Sequence, residues 1–425
     1  MAGQGQRCEQ RGGTLRGRRA RRVPSGSFGS VFTVHGVRRA LVALAAVGAV
    51  LLTGCTAPGA APPDADTRAI QSALDRRAAA VLAHATSPHD PAAREFANLA
   101  DVPLSSWSYR VTSVRRTGDL ATVRAELSHR VTGYDEGPVT GERVLELARR
   151  DGEWAVTGDR PAAGGARQLW QQGAVEVVRG RRSLVLGVGQ DQERLRAVAA
   201  VADRAVPAVS DAWHERWAGR VVVLVPRSVD AMGELLGEPG AAYRGIAAVT
   251  TGRVGGGAGT PADRVIVNPD AYGVLGAFGR EVVLTHETVH VATRAHTSAA
   301  TPLWLSEGFA DWVAYRGTER TAAQNAPELH RAVVAGDVPA ALPEDGDFAF
   351  GGDADALARA YESGWLACDL IAERWGEAKL TEFYRAVGAH PRREGAVEKA
   401  LGQVLSTTPE EFSRDWRDHL RRELG

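Results

Sequence analysis

The sequence predicts an α+β protein in which a small helix-plus-antiparallel-sheet module precedes a larger module with a mixed sheet and a helical C-terminal part. Three observations predict this order. Alternating apolar residues follow a first amphipathic helix, short β-branched runs surround a long central helix, and helical periodicity dominates the C-terminal third. The 425 residues are enough for two or three domains. We therefore expect folded domains at residues 66–160 and 168–425.

The N-terminal region, residues 1–55, has the pattern of a secretion signal. A pair of arginines precedes an apolar run from Ala40 to Leu52, which is too short to span a bilayer and suits the hydrophobic part of a signal peptide. The L-T-G-C run that ends at Cys55 then matches the bacterial lipobox. We expect Cys55 to become the lipidated, palmitate-bearing N-terminus, which would anchor a bacterial protein to the outer face of the cytoplasmic membrane.

Two features flank this signal. The lead before the arginine pair is long, so translation from a GTG codon at Val37 would give a more compact signal than a start at Met1. After the cysteine, residues 56–65 are rich in proline and alanine, and we expect them to form a tether between the lipid and the folded part.

The first module, 66–160, is expected to open with a helix because apolar residues repeat at helical spacing from Ile70 to Val81. Strand-like alternation follows, and the turn at Asp151-Gly152 predicts a hairpin. One helix with a curved antiparallel sheet resembles the nuclear-transport-factor-like cone fold. No polar constellation stands out in this module, so we expect a spacer or recognition role without chemistry.

The second module, 168–425, is expected to begin with strands around one long helix and to end in helices. The predicted strands are Val175–Val178, Leu184–Val188, Val221–Val225, Ile246–Thr250 and Arg264–Asn268, and the long helix is Gln192 to Trp217. The predicted C-terminal helices are Ala354–Trp375, Leu380–Val387, Ala396–Leu405 and Pro409–Leu424.

The residues most informative about chemistry form the sequence H-E-T-V-H at 286–290. On a helix, His286 and His290 lie on one face, so both imidazoles can reach one zinc ion. Glu287 follows the first histidine directly and is placed to act as a general base toward a water molecule at the metal. The β-branched flanks would also suit a buried strand, but the length of the segment, about 277–294, favours a helix.

Two residues could supply a third ligand. His296 has the spacing of H-E-x-x-H-x-x-G-x-x-H sites, but Thr293 replaces the glycine that would adopt the required turn. Glu307 is the better candidate because it lies early in a second predicted helix, 302–315. Asp311 follows one turn later and could accept the ring N–H of a metal-bound histidine. The alternative for both acids is a solvated helix face.

The H-E-x-x-H motif and the later W-L-S-E-G-F-A-D helix resemble those of gluzincin metallopeptidases, especially a peptidase-like domain of actinobacterial lipoproteins. The resemblance is strong at the two motif helices and weak elsewhere. It implies a zincin-like fold for 168–425, one Zn²⁺ bound by His286, His290 and Glu307, and Glu287 as the base. No G-x-M-E-N segment occurs upstream, so the N-terminal-amine recognition of related aminopeptidases is not implied.

The resemblance suggests two further roles. Related aminopeptidases carry a tyrosine on a comparable downstream helix, which makes Tyr361 a candidate donor to the oxyanion, with a packed aromatic residue as the alternative. Zincin-like folds place an edge strand beside the active-site helix, where it pairs with extended substrate. Arg264–Asn268 is the candidate for that strand, and a plain structural strand is the alternative.

The expected function is that of a membrane-anchored zinc peptidase acting on peptide or protein substrates. The alternatives are a catalytically silent peptidase-fold lipoprotein that binds peptides or cell-envelope partners, and a metal-binding solute lipoprotein, which would not need a general base between its ligands. The 51 basic and 51 acidic side chains cancel, so no net charge favours nucleic acid. We expect a monomer, with Cys368 as a core residue.

Overall fold

The computed structural model describes residues 64–252, 260–349 and 352–425. The secretion signal, Cys55 and the tether up to residue 63 lie outside these ranges, so the expectations about them stay predictions. Every helix within the three ranges is too short or too polar to cross a bilayer.

The described chain contains two sheets with helices around them. The strands are β1 (Leu104–Thr117), β2 (Leu120–Val131), β3 (Val139–Arg150), β4 (Glu153–Pro161), β5 (Val175–Arg179), β6 (Ser183–Val188), β7 (Val221–Val225), β8 (Ala248–Thr251) and β9 (Arg264–Val267). The helices are α1 (Ala65–Leu82), α2 (Ala93–Ala97), α3 (Gln192–Ala212), α4 (Val229–Leu236), α5 (Pro269–Gly273), α6 (Ala277–Thr293), α7 (Leu303–Tyr315), α8 (Ala322–Asn325), α9 (Pro327–Val334), α10 (Ala354–Trp375), α11 (Glu377–Gly388), α12 (Ala396–Ala400) and α13 (Pro409–Leu424).

The first sheet is an antiparallel meander in the order β1-β2-β3-β4, and α1 packs against it. Ile70 and Leu74 of α1 are fully buried, as the helical spacing predicted. Asp151 and Gly152 both adopt positive φ, 51° and 84°, which is the backbone that a tight two-residue hairpin requires. The predicted helix, sheet and hairpin are therefore present.

A buried ion-pair network joins α1 to this sheet, which corrects the expectation that the module holds no polar constellation. Arg77 of α1 lies 2.7 Å from both Asp90 and Asp159, and Arg143 of β3 lies 2.6 Å from Asp159. Removing one partner from such a buried network costs about 3–5 kcal/mol, because an uncompensated charge remains inside. The partners are far apart in sequence, so no local pattern predicts them.

The second sheet is mixed, in the order β5-β6-β7-β9-β8. Strands β6, β7 and β9 run parallel, while β5 and β8 pair antiparallel at the two edges. The possibility that Arg264–Asn268 is the edge strand is wrong, because β9 is hydrogen-bonded on both sides. Strand β8 forms that edge instead and contacts α6.

The predicted α+β class, with a mixed sheet, a motif helix and a helical C-terminal part, is confirmed. Helix α3 ends at Ala212, earlier than predicted, and Trp213 at its C-terminus is fully buried. The apolar core of the first sheet continues into one face of the second sheet through Leu186 and Val222. The division into domains 66–160 and 168–425 stays a prediction.

Helices α7 and α10 cross at a pair of glycines. A Cβ atom on Gly308 would overlap the carbonyl group of Gly364, and a Cβ atom on Gly364 would lie 2.6 Å from the carbonyl oxygen of Trp304. Only glycine allows the two backbones to approach so closely. The crossing fixes the position of α7, and therefore of Glu307 and Asp311, relative to the rest of the helical part.

We expect Gly308→Ala to lower the free energy of unfolding by about 1–3 kcal/mol, because the added methyl group must push the two helices apart. The matched control is Gly402→Ala, since a Cβ atom on Gly402 would meet nothing within 4 Å. Urea denaturation of the two variants measures the difference. Equal stabilities would contradict the close crossing.

Candidate metal centre

Two histidines of α6 and one carboxylate of α7 converge on one point. The Nε2 atoms of His286 and His290 lie 3.0 Å apart. The Oε2 atom of Glu307 lies 3.3 Å from His286 Nε2 and 3.4 Å from His290 Nε2. The spacing of four along α6 puts both rings on one helix face, and the crossing of α7 brings the carboxylate to them.

The three side chains fit a divalent cation. Around a tetrahedral zinc ion with bonds of about 2.0–2.1 Å, the ligand atoms lie about 3.3–3.4 Å apart, close to the separations seen between His286, His290 and Glu307. Two imidazole nitrogens and one carboxylate oxygen form a donor set that zinc accepts. Three protein ligands also leave a fourth position open to water or substrate.

Asp311 orients one of the rings. Its Oδ1 atom lies 2.7 Å from Nδ1 of His286. A carboxylate accepts a hydrogen bond from Nδ1–H, so Nε2 is the nitrogen that faces Glu307 and His290. The sequence suggested this role for Asp311 from its position one turn after Glu307, and the structure places it there.

The charges of the centre are strongly coupled. Burial opposes protonation of His286, but the carboxylates of Asp311 and Glu307 outweigh it and raise the pKa of this histidine to about 10. Burial likewise opposes ionisation of Glu307, but the two imidazoles hold its pKa well below the usual range. Positive charge is therefore favoured between these carboxylates, and a bound cation would supply it while protons leave.

Thr250 on the edge strand β8 holds the proposed general base. Its hydroxyl oxygen lies 2.6 Å from Oε2 of Glu287 and 3.1 Å from the backbone oxygen of the same residue. Sequence reasoning had not identified Thr250. The alternation of β8 could have suggested that it lies on the same sheet face as Ala248, but the packing of that face against α6 was not visible in the sequence.

His296 does not join the centre. It ends a short 3₁₀ turn after α6, and its ring centroid lies 5.6 Å from that of Trp213. The metal-binding group of His286, His290 and Glu307 does not include it. The structure thus favours Glu307 as the third ligand, and Thr293 continues α6 without a glycine turn.

Two buried tyrosines lie on the C-terminal helices, Tyr361 on α10 and Tyr384 on α11. Tyr361 is 2% exposed, and its ring centroid lies 5.1 Å from that of Phe348, as for a packed aromatic residue. The role of Tyr361 as a donor to the oxyanion stays a prediction. Sequence analysis overlooked Tyr384, whose hydroxyl lies 2.8 Å from that of Thr297. Burial raises the pKa of Tyr384 to about 12, and the nearby Glu307 carboxylate acts in the same direction.

A second group with metal-binding residue types, within the described ranges, is less suitable. Glu373, His419 and Glu423 lie close together on the C-terminal helices. The guanidinium of Arg422 lies 2.6 Å from His419 Nδ1 and 2.8 Å from Glu373. A positive side chain thus occupies the place where an ion would bind.

The centre is enclosed. His286 and Glu287 are 0% exposed, Glu307 is 1% exposed and His290 is 3% exposed. Enclosure keeps bulk water away from the charges and strengthens the interactions between them.

Comparison with known proteins gives little beyond this geometry. No family model and no curated protein matches the chain. Among solved structures, an M1 zinc metallopeptidase from Deinococcus radiodurans with a bound Tyr-Ser-Ala substrate is similar to this chain at 13% identity and a TM-score of 0.33. The similarity covers 76% of this chain and 62% of the metallopeptidase. Yeast LTA4 hydrolase is similar at 12% identity and a TM-score of 0.33, and the similarity covers 76% of this chain and 60% of the hydrolase. The chain thus spans about three fifths of the length of these two proteins, and likenesses this weak carry no functional argument.

Proposed function

We propose that this protein is a zinc-dependent peptidase that uses Glu287 as its general base. The observation that carries the proposal is the convergence of His286, His290 and Glu307, together with the buried carboxylate of Glu287, the residue after His286, which contacts the hydroxyl of Thr250. A site that only stored a metal would have no need for that additional buried carboxylate.

The residues of the centre have separate roles in the proposed peptide hydrolysis. Zinc, when bound by His286, His290 and Glu307, would polarise the peptide carbonyl and lower the pKa of water toward neutrality. Glu287 accepts a proton from the attacking water and donates it to the leaving amine. The hydroxyl of Thr250 fixes the orientation of the Glu287 carboxylate during both transfers.

An extended peptide has a natural place in this arrangement. Among the described residues, the only strand that pairs with β8 is β9, and we propose that a peptide backbone pairs with the other side of β8. Because β8 carries Thr250, a peptide paired with it would run past Glu287. Tyr361 is the proposed donor to the oxyanion.

The second candidate function is a catalytically silent protein that binds peptides or envelope partners. The near-complete burial of the four central side chains favours it, because substrate cannot reach an enclosed centre without rearrangement. The intact set of ligands and general base favours the peptidase.

We further propose that the protein acts as a monomer on the outer face of the cytoplasmic membrane, anchored through Cys55. This proposal rests on the L-T-G-C sequence after an apolar run and on the tether that follows it. Its partners would be peptide or protein substrates and the lipid anchor itself.

Metal analysis and a peptide-library assay on the full chain test the function. We expect one zinc ion per chain and cleavage that stops when 1,10-phenanthroline removes the metal and returns when zinc is added. Zinc binding without any cleavage would identify the silent alternative. Absence of bound metal would contradict the peptidase.

A further inference from the structure

A cavity of about 210 Å³ lies between the two sheets, on the face of the second sheet opposite α6. Leu104 and Val131 of the first sheet line one side, and Leu186, Leu224 and Ile266 of the second sheet line the other. The neighbours of Ile266 along β9 point the other way and pack with residues of α6. The sheet therefore separates this cavity from the metal centre.

The cavity has one polar group that lacks a partner. His129 of β2 lines it and is 6% exposed, and its ring centroid lies 5.7 Å from that of Trp107 and 5.0 Å from that of Trp170. Its Nδ1 atom has no hydrogen-bond partner within the described ranges. Protein atoms cover Nδ1 itself, so a molecule in the cavity would meet the imidazole at its other atoms.

His129 is uncharged at neutral pH. Burial lowers its pKa to about 4, and the nearby Arg264 acts in the same direction. A neutral imidazole has one N–H donor and one acceptor nitrogen, so it can pair with a hydroxyl or an N–H group of a ligand.

The charged residues that line the cavity already have partners. Arg264 binds Asp135 through two hydrogen bonds of 2.9 and 2.8 Å, and Arg167 lies 3.2 Å from Glu234. The cavity thus offers no unpaired cation to a carboxylate or phosphate ligand. Apolar side chains make up most of the remaining wall, which favours an uncharged, largely apolar ligand.

The size of the cavity suits one aromatic ring. An apolar protein cavity of about 150 Å³ holds benzene, so the volume here leaves room for a substituted ring. The Trp170 indole, which also lines the cavity, offers an aromatic surface to such a ring.

We propose that this cavity binds a small uncharged aromatic compound whose single hydroxyl or N–H group pairs with the imidazole of His129. This inference is independent of the proposed peptidase activity, because it uses none of the residues of the metal centre. The first module would then be a recognition module and not merely a spacer.

Phenol and toluene test the proposal, because they share size and shape and differ in the hydroxyl group. Ligand-detected NMR on the full chain should show that phenol binds roughly fivefold more tightly than toluene, as one neutral hydrogen bond provides. His129→Phe keeps an aromatic ring between the two tryptophans and should remove this preference. Leu224→Phe narrows the cavity and should weaken binding of both compounds.

The wild-type protein provides a readout that does not depend on a variant folding. Phenol should shift the ¹⁵N resonance of the His129 imidazole, and toluene should not. Equal binding of phenol and toluene, equal binding of phenol by His129→Phe, or binding of neither compound by wild type would overturn the proposal.

Discussion

Glu287→Gln should slow peptide hydrolysis strongly while leaving zinc bound. The amide retains the shape of the side chain and can still contact the hydroxyl of Thr250, but it cannot accept a proton from water. Loss of a positioned general base costs about 10²–10⁴ in rate. The metal should remain, because neither oxygen of Glu287 belongs to the group formed by His286, His290 and Glu307.

The matched control for this variant is Glu281→Gln on the same helix. Glu281 is half exposed and pairs with Arg204 at the surface, so its neutralisation should leave hydrolysis and zinc content near wild type. Initial rates on one cleavable peptide and the metal content of each variant decide the outcome. Wild-type activity in Glu287→Gln would remove the general-base assignment.

Glu307→Ala should lose zinc. The loss in affinity should exceed about 100-fold, since partners that merely orient metal ligands are worth 10- to 100-fold. The two imidazoles would then face each other without the buried carboxylate that stabilises positive charge between them. Glu307→Gln is a useful companion variant, because it preserves the volume of the side chain while removing the charge.

His296→Ala is the control for the choice of third ligand, and it should change zinc affinity little. The ring of His296 packs on Trp213 and not toward the other histidines. Competition with a zinc indicator measures all three affinities. If His296→Ala lost zinc and Glu307→Ala retained it, His296 would be the third ligand and Glu307 would not.

Sequence reasoning succeeded where the controlling pattern is local. The H-E-x-x-H spacing placed two imidazoles on one face of α6, and the second predicted helix, 302–315, agrees with α7, which carries Glu307 and Asp311. Helices α10 and α13 were predicted with their observed limits. These features depend on residues within one or two helical turns of each other, so tertiary contacts were not needed to predict them.

The errors concern contacts between residues far apart in sequence. Which strand lies at the edge depends on the order of the whole sheet, so β9 was considered where β8 is found. Thr250 reaches Glu287 only because β8 packs beside α6, and the buried partners of Arg77 come from a loop and from β4. Such pairings become visible only when all the elements have been placed together.

The enclosure of the metal centre has a kinetic consequence. An ion held there would be shielded from a chelator in solution, so each departure would have to wait for a local opening of the fold. At high chelator concentration the rate of metal loss would then reach a plateau set by the protein, whatever the strength of the chelator. A slow loss of metal to a chelator would then measure how often the fold opens locally, and it would say little about the affinity of the site for the ion.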